Sequence, residues 1–188
     1  MMSEIQHGFF RHGDNTYLAN FSESEREVLT NLAEQIIELL AERFDHPNDD
    51  PLAAMVGITM HDTPPDDEVL FRLLPNAYAD QVDASEFRRY TESTLRQKKQ
   101  AHAMAMRMHT KSAIDGVIEL DYDGAMAWLG AINDVRLALG VRLEVEQNSH
   151  EDLELLAFDD PMRGVYAVYS WLGWLQESLL EALMDDSQ

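Results

Sequence analysis

The chain has 188 residues, 45% of them hydrophobic, a length and composition that suit one domain with a real core. It contains no cysteine, which excludes disulfides, thiol catalysis, thiolate zinc sites and a cysteine redox switch. Its 35 acids against 14 bases leave a formal charge of −21, a field that repels nucleic acid and anionic membranes and favours basic partners, or that simply keeps the protein soluble.

The N-terminal residues lack the basic-then-apolar pattern of a signal peptide. The longest apolar-looking segment, Val165 to Leu175, is shorter than the ~20 residues a bilayer requires. A soluble cytoplasmic protein, not a membrane protein, is the expectation.

Phe9 to His12 and Thr16 to Ala19 carry β-favouring residues around Gly13-Asp14-Asn15, so a short β-hairpin is expected at residues 1–20. Such a hairpin is marginal alone and must pack on something. Ser22 and Glu25 have capping-box spacing, with Phe21 as the staple, and open a helix to about Phe44 whose apolar stripe includes Leu29, Leu32, Ile36 and Leu40. A short helix from Pro51 to Met60, an acidic proline-broken loop, and another short helix from Asp66 to Leu74 follow. The long polar helix runs from Ala84 to Asp115, with Gly116 as its stop. Tyr122 to Leu139 is amphipathic and has Gly140 in the C′ position, and Leu143 to Val145 reads as a short strand or a linker. Asp160 before Pro161 starts the last helix, which reaches Met184. Its aromatic residues Tyr169, Trp171 and Trp174 widen the apolar stripe, which suits either a central core helix or half of a homodimer interface. The fold class is therefore mainly α: one domain over residues 1–188, with a hairpin at 1–20 and a helical bundle at 21–188.

No nucleophile elbow, phosphate loop, dinucleotide fingerprint or His-Glu-x-x-His motif occurs in the chain. His102 and His109 lie two helical turns apart, roughly 10 Å along the axis, too far to share an ion directly. No catalytic residue, metal site or cofactor is assigned.

The most informative feature is positive charge. Half of the bases, Arg88, Arg89, Arg96, Lys98, Lys99, Arg107 and Lys111, fall in one helix, and residues 93 to 114 include no acid. Arg88, Arg96, Lys99, Arg107 and Lys111 recur near four-residue multiples and can share a face. One reading is a stripe that grips a partner; the other is a helix docked on the protein's own acids. Met106 cannot share a face with Met104 and Met108, because alternate helical positions point about 200° apart. Met106 is taken as the accessible methionine and added to the partner-binding set.

The stretch Trp128-Leu129-Gly130-Ala131-Ile132-Asn133-Asp134-Val135-Arg136, continuing to Arg142-Leu143, resembles the signature of an actinobacterial family catalogued as domain of unknown function 2017. Leu70 to Tyr78, Glu86 to Glu92 and Tyr169 to Leu172 agree with it. The resemblance implies a regulator similar to oxidative-stress transcriptional regulators, acting through the transcription machinery rather than a DNA-reading helix, with genes near a Clp-protease adaptor. The redox role of such proteins is associated with cysteines, and this chain has none. Within the signature, Trp128, Asn133, Asp134, Arg136 and Arg142 read as polar and aromatic groups tying helices together, or as a partner site.

Two functional classes result. The first is a non-enzymatic regulator that binds a protein of the transcription or proteolysis machinery, with direct nucleic-acid binding disfavoured by the charge. The second is a metal- or ligand-binding enzyme whose site assembles from scattered His, Asp and Arg residues.

Overall fold

The structure is a computed structural model that describes residues 8–41, 63–145, 156–157 and 159–185. Among these it is mainly α, with five helices and one small sheet: β1 (Phe9–Arg11), β2 (Tyr17–Asn20), α1 (Glu23–Ala41), α2 (Glu68–Leu73), α3 (Gln81–Ser112), β3 (Val117–Leu120), α4 (Tyr122–Arg142) and α5 (Pro161–Met184). No described helix is long and apolar enough to cross a membrane. The expected helix at Pro51 to Met60 lies outside the described residues.

The hairpin forms as read, with Gly13 at φ 85° in its loop and the His12 amide donating to the Thr16 carbonyl at 2.7 Å. It is one part of a three-stranded antiparallel sheet ordered β1-β2-β3, in which Tyr17 faces Leu120 and Asn20 faces Val117. This third strand corrects the expectation of a hairpin alone. The sheet also answers the hairpin's need for support. Phe9, Tyr17, Ala19, Ile118 and Leu120 point inward and are buried, while the Phe9 amide, on the edge away from β2, donates to Ser178 Oγ of α5 at 3.1 Å. Gly8, at φ 83°, leaves room there: a Cβ would come within 3.0 Å of Trp174 and Ser178.

The helix ends follow their caps. The Ser22–Glu25 capping box is closed in both directions, at 2.8 Å and 3.3 Å. Asp67, Asp80, Asp121 and Asp160 each accept from an amide of the turn they start, an arrangement worth ~1 kcal/mol per cap. Asp80 begins α3 earlier than Ala84, and α3 stops at Ser112 rather than Asp115. The reason is a tight turn: Asp115 and Gly116 both have positive φ, at 53° and 83°, and reverse the chain into β3. A side chain at Gly116 would place its Cβ 2.5 Å from the Phe21 carbonyl oxygen, so the glycine serves the sheet and not a helix stop. Gly140 likewise lies inside α4, which continues to Arg142 before Glu144 turns at φ 51°. Leu143 to Val145 is the linker.

α4 is the central element, packing on α1, α2, α3, α5 and β3. Its Trp128 is fully buried. It stacks on Phe21 with centroids 5.9 Å apart and meets the edge of Phe9 at 5.4 Å. This aromatic cluster, with Leu29, Ile132, Leu172 and Leu175 around it, joins the sheet to the helices.

Candidate functional site

α3 carries seven of the chain's bases, and its buried face spends several of them internally. Arg88 and Arg96 are both buried, with Glu92 between them. Glu92 accepts from Arg88 at 2.5 Å and from Arg96 at 3.1 Å. Arg88 also donates to the Leu74 carbonyl at 3.1 Å and to Asn76 Oδ1 at 2.8 Å, and Arg96 donates to the Leu40 carbonyl at 2.5 Å. The three side chains thus bolt α3 to the end of α1 and to the residues after α2. Buried charges are retained only when paired and hydrogen-bonded in this way. As surface contacts for a partner, Arg88 and Arg96 are out of reach in the folded chain, which corrects their placement on an open stripe.

Lys99 forms an ion pair with the buried Asp134 of α4. Burial raises the Asp134 carboxyl above its ordinary pKa, and this outweighs the opposing effects of Lys99, His102 and Asn133. Lys111 pairs with Glu34 of α1 at 2.6 Å on the surface, and that hydrogen bond lowers the Glu34 pKa. Arg107 is half-buried.

The signature residues of α4 divide in the same way. Trp128 Nε1 donates to His109 Nδ1 of α3 at 3.0 Å. Arg136 donates to Gln176 of α5 at 2.6 Å and lies over the Tyr169 ring at 5.1 Å. Asn133 is exposed. Arg142 lines a groove of about 420 Å³ between α1, α2 and α4, whose apolar wall includes Leu32, Leu39, Val69 and Leu139. His102 packs so closely on Gly130 that a Cβ there would come 2.2 Å from its Nδ1. The two histidines of α3 thus both face α4, held apart along it, and burial lowers the pKa of each. Among the described residues no group of three or more His, Cys, Asp or Glu could hold a metal ion.

The methionines reverse the expected phase. Met106 has no exposed surface, whereas Met104 is 44% and Met108 58% exposed. Met106 does differ in face from its neighbours, but the buried face of α3 is the one holding Ala103, Met106 and Thr110. Met104 and Met108, with Ala101 and Ala105, therefore form an outward apolar stripe at i, i+3, i+4 and i+7. At 100° per residue, Arg107 and Lys111 stand on one side of it and Lys98 on the other. No acid lies on this half of the helix.

Comparison with known proteins places the chain in a family. The model of the domain of unknown function DUF2017 matches residues 6–183. The chain is 34% identical over 183 residues to the oxidative stress regulator AosR of Mycobacterium tuberculosis (strain H37Rv), with 89% of this chain and 82% of the relative covered. The same figures hold for AosR of Mycobacterium bovis. It is 33% identical over 175 residues to the putative oxidative stress regulator AosR of Mycobacterium leprae, covering 85% and 79%. No solved structure matches. With its family model spanning almost the whole chain, this protein belongs to the DUF2017 family.

Proposed function

We propose that this protein is a non-enzymatic regulator that acts by binding an acidic segment of another protein through the outer face of the second half of α3. The observation that carries the reading is the stripe Ala101–Met104–Ala105–Met108, an exposed apolar strip on a helix whose opposite faces are already packed on α1 and α4. A helix needs one apolar face to fold; a second one is surplus to the fold and suits a partner. Methionine is a flexible thioether that adapts to varied partner surfaces.

The occupant's chemistry follows from charge. Lys98, Arg107 and Lys111 flank the stripe, Lys111 already paired with Glu34 of α1, and residues 93–114 themselves include no acid, although the whole chain carries −21. Such a local reversal attracts carboxylates and repels basic segments, so an amphipathic segment rich in Asp and Glu fits best. The relatives named oxidative stress regulators make a regulatory role the natural setting, and a component of the transcription or proteolysis machinery the natural class of partner.

Introducing negative charge into the stripe tests this. A chain with Met104→Glu and Met108→Glu keeps its fold, since exposed substitutions change stability by only about 0.5 kcal/mol each, and loses the protein that the wild type captures from its own cell extract. That capture weakens with salt, as steering by exposed charge is screened over ~8–10 Å. Unchanged capture by the folded variant would refute the site.

A further inference from the structure

We infer that Met104 and Met108 form an oxidation-sensitive switch on the α3 face, which releases the bound partner when their thioethers become sulfoxides. The inference rests on the docking reading above and adds its regulation. The chain has no cysteine, so thiol chemistry is closed to it, and the thioether is the remaining side chain that a peroxide or hypohalite oxidises reversibly. Each step is a two-electron oxidation: the sulfur lone pair takes the terminal oxygen of a peroxide, the O–O bond breaks, and the peroxide leaves as water or an alcohol. No second reactant is required.

The geometry separates the responsive sulfurs from a protected one within five residues. Met104 and Met108 stand one helical turn apart on the open face, 44% and 58% exposed, while Met106 between them has no exposed surface. An oxidant therefore reaches the two that make the stripe and spares the one that makes the core. The sulfoxide replaces an apolar thioether with a strong dipole and hydrogen-bond acceptor. Its oxygen also presents negative charge density to an acidic partner that Lys98 and Arg107 would otherwise hold. Both changes oppose binding, and neither touches a buried contact.

The test uses the full chain in two forms, wild type and Met104→Leu/Met108→Leu, each treated with dilute hydrogen peroxide and read in three ways. Peptide mass mapping is expected to show Met104 and Met108 oxidised at least about tenfold faster than Met106, with the melting temperature unchanged. Capture of the partner from cell extract, each form compared with its own unoxidised sample, is expected to fall about tenfold (~1.4 kcal/mol) on oxidation of the wild type and not to change on oxidation of the leucine variant, whatever the leucine variant's starting level. Met126, Met162 and Met184 are also exposed and remain in both forms, so they serve as the internal control. Equal loss of capture by both oxidised forms would place the effect elsewhere and overturn the switch while leaving the docking face standing. Oxidation of Met106 at the same rate as Met104 and Met108 would overturn it too. Absence of any captured protein before oxidation would overturn the docking reading and the switch together.

Discussion

The indole N–H of Trp128, a donor with no access to solvent, is satisfied by Nδ1 of His109 across 3.0 Å. This fixes His109 as the neutral tautomer with its proton on Nε2, because a protonated ring would have no lone pair to offer. Burial lowers the His109 pKa below 6.5, with Asp121 opposing it less strongly. His102 is lowered as well, by burial and then by Lys98. A lowered histidine binds its proton more readily in the unfolded chain, so stability rises with pH through the window below 6.5 and is fully present above it. The melting temperature is therefore expected to fall on acidification from pH 7 to pH 5. His109→Gln, whose amide oxygen still accepts the indole proton, should flatten that dependence in part and leave the contribution of His102. An acid dependence identical in wild type and variant would mean that His109 does not titrate in this window.

Gly130 makes room for His102. With a Cβ there only 2.2 Å from the ring, Gly130→Ala should destabilise by ~1–3 kcal/mol, despite the better helix propensity of alanine. His102→Ala in the same chain should recover most of the loss. A double-mutant cycle by chemical denaturation reads the coupling, and simple additivity would refute the contact.

Glu92 holds two arginines in the buried space between α1, α3 and the chain after α2. Glu92→Gln keeps the shape but removes the carboxylate charge that both buried guanidinium groups share, at a cost of ~3–5 kcal/mol. Arg96→Glu should be at least as severe. By contrast Lys98→Glu, on the exposed side, should alter the melting temperature by little. Thermal melts of the three variants separate scaffold charge from surface charge along one helix.

Much of this was legible from the residues. The Ser22–Glu25 box, the Asp160–Pro161 start and the Gly13 loop declare themselves through local chemistry that needs no partner elsewhere in the chain. β3 was not legible, because Val117 to Leu120 is only four residues long and becomes a strand by pairing with β2, far away in sequence. The basic helix was half legible. Arg88, Glu92 and Arg96 follow one another at i, i+4 spacing, a ladder that satisfies itself within one helix and extends through Lys99, Ala103, Met106 and Thr110 as the inward face. Taking Glu92 as part of that ladder sets the phase of α3, puts Met106 inside and turns Met104 and Met108 outward. Bases counted without their intervening acid give the opposite phase.

The docking face is tested most directly by placing a photo-crosslinking side chain at position 108 and, as a control, at position 119 on the exposed face of the sheet, and irradiating living cells. The account predicts an adduct at position 108 alone, formed with a second polypeptide whose crosslinked peptide is rich in Asp and Glu. An adduct of equal yield at both positions, or one at position 108 whose peptide is basic or comes from this chain itself, would contradict it.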